Sequence, residues 1–117
     1  MNLQRKHFDL FVKTFKHWQR LLGLTQYRID FSFEPLGSSY ADINVDELSK
    51  TVMVRMSSKM DAEDYRHLDI ERCARHEVFH LLTHRLVWLG ETRYIENNDL
   101  SEEWEAVARR LEGVLKP

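Results

Sequence analysis

Arg75-His-Glu-Val-Phe-His-Leu-Leu82 lies in the middle of a stretch, roughly Leu68 to Leu89, that contains neither glycine nor proline. Its apolar residues, among them Ile70, Cys73, Ala74, Val78, Leu81, Leu82, Leu86 and Val87, cover most of a helical circumference. A helix apolar nearly all round has neighbours on several sides, so this one is expected to be central and buried.

Upstream, Tyr27, Ile29, Phe31 and Phe33 alternate with Arg28, Asp30, Ser32 and Glu34 until Pro35-Leu-Gly-Ser-Ser interrupts the pattern. This period of two marks a half-buried strand. Tyr40 to Asp46 and Thr51 to Met56 are two further β-prone runs, joined by Glu47-Leu-Ser-Lys50, a length that suits a hairpin. Three strands in a largely antiparallel sheet are expected. Before them, Leu3, Phe8, Phe11, Val12, Phe15, Trp18, Leu21 and Leu22 recur at helical spacing, with Arg5, Lys6, Lys13, Lys16 and Arg20 between them, up to Gly23. That is an amphipathic helix with a basic outer face. Downstream, Gly90 to Asp99 reads as a polar loop. Leu100, Trp104, Val107, Ala108, Leu111, Val114 and Leu115 then predict a last helix, with Ser101 or Asp99 as its N-cap. The fold class is α+β, in a single domain spanning residues 1–117.

Composition narrows the functions. The 117 residues are 43% hydrophobic and 31% charged, with a formal charge of −2. Nothing in that balance draws the chain to nucleic acid or to an anionic membrane. The single cysteine, Cys73, excludes an internal disulfide and any thiolate-rich zinc site, so a metal must be held by histidine and carboxylate. There is no run of about 18 apolar residues, and Met1 to His7 turns amphipathic without an apolar leader. A cytoplasmic location is expected.

His76 and His80 are four residues apart, so on a helix both imidazoles project from one face and can converge on one ion. Glu77, about 100° further round, is placed to take a proton from a metal-bound water without itself being a ligand. Chance produces a His-Glu-x-x-His match in roughly 3 of 100 chains of this composition. The apolar helix around it strengthens the reading, because ionisable groups are costly there unless paired or metal-bound. A third protein ligand is required for a catalytic site. Thr83 and Leu86 occupy the positions where the longer His-Glu-x-x-His-x-x-Gly-x-x-His pattern needs glycine and histidine. His84 is some 12 Å of helical rise beyond His76, too far to share the ion. Glu102, Glu103 and Glu105 remain. Glu102 points away from the apolar stripe of the last helix, whereas Glu103 and Glu105 flank it; Glu105 is favoured, with Glu103 second. Tyr94, Tyr40, His84 and Arg93 are the side chains of a type that can stabilise an oxyanion.

With Arg75 to Leu82 and, more weakly, Glu105-Ala-Val-Ala-Arg-Arg-Leu111, the chain resembles the zincin metallopeptidases, specifically the minigluzincin kind and small phage-type relatives. The resemblance implies a minimal fold of N-terminal helix, small sheet, active-site helix and glutamate helix. It implies zinc held by His76, His80 and Glu105, with Glu77 as general base and a peptide or protein as substrate. It also implies an edge strand along the cleft, Tyr40 to Val45 or Thr51 to Met56 here. The chain departs from the thermolysin-like Glu-x-x-x-Asp pattern: Arg109 follows Glu105 at that spacing, and Ala106 follows Glu102. The alternative is a non-catalytic metal-binding or interaction module, acting for instance through the basic first helix.

Overall fold

Phe8, Phe11 and Phe15 recur at helical spacing on α1 (Arg5–Leu21), and all three are buried. The helix stops in a Schellman turn: Gly23 N–H donates to Arg20 C=O and Leu24 N–H to Gln19 C=O, with Gly23 at φ +69°. After α1 come β1 (Arg28–Glu34), β2 (Ala41–Asp46), β3 (Thr51–Ser57), α2 (Ala62–Arg66), α3 (Ile70–Glu91) and α4 (Asn97–Leu115). This computed structural model describes residues 1–91 and 97–115. Among them the chain is mixed α+β, with helices before and after a three-stranded sheet.

The hairpin is present. Asp46 Oδ1 accepts from the N–H groups of Leu48 and Ser49, and Lys50 completes the turn at φ 57°. The sheet order is β1-β3-β2. β3 runs antiparallel to β2 but parallel to β1, with Arg28 opposite Thr51 and Glu34 opposite Ser57. The sheet is therefore mixed, half parallel, rather than largely antiparallel. From β1 the chain crosses to the far edge and β3 returns to fill the gap, a step that period-two patterning does not record. Burial follows from this order. Val52, Val54 and Met56 of the central strand are almost fully buried, while Ile29, Phe31 and Phe33 on the edge strand β1 are only half-buried.

α3 packs against α1, β2 and α4. Asp69 Oδ1 accepts from Arg72 N–H at its start. Ala74, Val78, Leu81 and Leu82 join the α1 phenylalanines, the inward face of β3 and Val107 of α4 in one buried cluster. The expected loop from Gly90 to Asp99 is shorter than the sequence indicated. α3 continues through Gly90 to Glu91 with Leu89 buried, and α4 begins at Asn97, so Asp99 and Ser101 lie inside its first turns and are not its N-cap. α2, which the sequence reading passed over, is a single short turn started by Asp61, whose carboxylate accepts from Asp64 N–H. No helix among the described residues is long and apolar enough to cross a membrane.

Candidate metal centre

α3 brings His76, Glu77 and His80 together. The two imidazole Nε2 atoms are 3.0 Å apart, with ring planes at 88°. Two nitrogens binding one tetrahedral zinc at 2.0–2.1 Å are separated by about 3.3 Å, so a small opening of this pair matches a shared ion. Both rings are exposed to a cleft, whereas Glu77 between them is only 6% exposed. The helix is thus less uniformly buried than its composition implies: its histidine face is open and the carboxylate forms the floor. Burial, with the Asp42 carboxylate adding to it, pushes the Glu77 carboxyl up to about 7.

The opposite wall of the cleft is β2. Ala41, Asp42 and Ile43 face His76, Glu77, His80 and His84 around a space of about 470 Å³. A second hollow of about 390 Å³ continues past Tyr40 and Ala41 toward His67 and Arg72, sharing His76 and Glu77. Of the two strands considered for lining a cleft, Thr51–Met56 belongs to the central strand and is closed to any added chain; β2 is the one at an edge beside α3.

Glu105 lies on the exposed side of α4, 61% exposed, where Oε1 accepts from Arg109 Nε at 3.2 Å. Glu103 Oε2 sits 3.5 Å from Arg85 Nε. Among the described residues no three or more His, Cys, Asp or Glu side chains are grouped closely enough to hold an ion. The described donor set is therefore two imidazoles with a carboxylate beside them. Of the oxyanion candidates, His84 lines the cleft and Tyr40 lines the adjoining hollow, its hydroxyl 3.3 Å from Asp64 Oδ1. Arg93 and Tyr94 lie outside the described residues.

Two groups near the site escaped the sequence reading. Arg55 on β3 donates from Nε to Asp42 Oδ1 at 2.8 Å, pairs through Nη2 with Asp42 Oδ2, and reaches Glu34 at 3.1 Å. It fixes Asp42 at the cleft wall. Glu47, in the β2–β3 turn, has a side chain with no exposed surface. Its carboxylate accepts from Tyr27 Oη at 2.7 Å and His84 Nδ1 at 2.8 Å, and pairs with Lys50. Burial alone raises its pKa, but the bonds from Lys50, Tyr27 and His84 more than offset that and hold it below the usual carboxylate range. The turn thereby orients the His84 ring at the end of the cleft. Glu47 and His84 are 37 residues apart, and no periodicity links them.

A scan against protein-family models finds no match, and searches of curated proteins and of solved structures likewise return none.

Proposed function

We propose that this chain is a zinc-dependent metallopeptidase of the zincin kind that hydrolyses peptide bonds, with His76 and His80 as metal ligands and Glu77 as general base. The observation that carries it is the pair of Nε2 atoms 3.0 Å apart over a buried glutamate, in a cleft walled by an edge strand. Zinc bound there would acidify a coordinated water and polarise a carbonyl. Glu77 takes the proton and delivers it to the departing amine; an adjacent cation favours its ionised form, ready to accept. β2 pairs only with β3 among the described residues, and its other backbone flank offers an extended substrate a ladder that orients the scissile bond. The third protein donor belongs by sequence to α4, with Glu105 first and Glu103 second. Both face arginines, and neither is grouped with the histidines among the described residues. The single cysteine favours a reducing, cytoplasmic setting.

Metal analysis and digestion of a broad peptide library test the reading together. The parent should bind zinc near one equivalent and cut; Glu77→Gln should keep the metal and stop cutting. A Glu77→Gln protein as active as its parent removes Glu77 from the mechanism. Loss of zinc affinity in Glu105→Ala, but not in Glu103→Ala, assigns the third position. The second reading is a non-catalytic metal-binding or protein-interaction module that keeps the same fold. Stoichiometric zinc without cleavage of any library member decides for it.

A further inference from the structure

At the other edge of the sheet, β1 pairs only with β3 among the described residues, which leaves one flank of its backbone unpaired. Its inward residues Ile29 and Phe31 are half-buried and line an open groove against α1. The rim is basic. Arg5, Lys13, Lys16 and Arg20 stand against Asp9 and Asp30, four positive charges to two negative, an excess of +2 on a chain of net charge −2. Arg5 already pairs with Asp9 at 3.4 Å. Lys16 leans across the groove, its Nζ 5.9 Å from the centre of the Phe31 ring.

An open strand edge, an apolar strip and a cationic rim fit an extended segment with carboxylates at alternate positions. Its backbone adds to β1, and every second side chain reaches the α1 lysines. Self-pairing of two copies through β1 brings two grooves of like charge together, which opposes a second copy as the occupant. We propose that the β1–α1 groove binds an acidic, extended polypeptide segment by strand addition, independently of the metal centre.

The probe is a fluorescein-labelled (Val-Glu)4 octapeptide, followed by fluorescence polarisation against the full chain. It should bind about tenfold or more tightly than (Val-Lys)4, and weaken as salt is added. Lys13→Glu/Lys16→Glu should lower its affinity by about tenfold. Circular dichroism checks that this variant folds; if it does not, Lys13→Gln/Lys16→Gln supplies the same comparison with a smaller loss. Of two octapeptides, one N-methylated at the valines and one at the glutamates, one should bind at least about tenfold more weakly, because only one set of alternate amides faces β1. Amide exchange should slow at Arg28–Glu34 on binding. Equal affinity for both methylated peptides and the parent, no effect of the lysine variants, or no binding at millimolar peptide overturns the proposal. So does a dimer in sedimentation equilibrium that the octapeptide dissociates, since the groove's occupant is then a second copy.

Discussion

Glu47, in the β2–β3 turn, and Glu77, at the cleft floor, are exposed to nearly the same small extent, 4% and 6%, yet their acidities move in opposite directions. Glu47 is surrounded by donors: a tyrosine hydroxyl, a histidine, a lysine and, at 3.7 Å, Arg85. Among the described residues Glu77 has no such escort; its site desolvates it and turns the Asp42 charge toward it. Burial to the same degree therefore does not set the protonation state. The partners do. The first region holds a charge in place; the second raises its carboxyl toward neutrality.

The largest contrast is expected in chemistry. Glu77→Gln should lower peptide hydrolysis by about 100-fold or more with zinc content unchanged, whereas Glu47→Gln should leave substantial activity, read as kcat/KM on one library substrate. The next largest is in folding. Glu47→Ala removes the shared acceptor of Tyr27 and His84 and should cost about 3 kcal/mol in urea denaturation; Glu77→Gln should cost far less, because no hydrogen-bonded network among the described residues depends on it.

The pH dependence of the metal-free protein carries the third contrast, with opposite signs. Glu47 is depressed in the fold, so its contribution is present above the unfolded value of 4.5 and is lost as pH falls below it. Glu77 is raised to about 7, so its contribution is present below 4.5 and is lost as pH rises through 7. Urea midpoints in EDTA should accordingly lose an acid-side slope in Glu47→Gln and a neutral-side slope in Glu77→Gln. Identical slopes in parent and both variants would show that neither carboxyl is perturbed. The smallest effect belongs to Asp42→Asn, which should move the carbon-13 titration of the metal-free Glu77 carboxyl toward lower pH and leave Glu47 unmoved.

Local chemistry was legible residue by residue. The spacing of Phe8, Phe11 and Phe15 and the glycine after Leu22 defined α1 and its end; alternation from Ile29 to Phe33 defined β1. His76, Glu77 and His80 could be placed together because one helical turn is itself a spatial rule. The same rule misled at Gly90: its helix cost is only about 1 kcal/mol relative to alanine, and the buried Leu89 beside it holds the turn helical.

Sheet order lay beyond the sequence, because an alternating strand has the same pattern in parallel and antiparallel pairing. The order made β3 central and put β2 against the cleft. Tertiary structure alone likewise joined Glu47 to His84 and Arg55 to Asp42. Periodicity acts over one turn or one pleat, and those contacts are decided by how whole elements pack. The sequence by itself determined which residues share a face; the fold decided which faces meet.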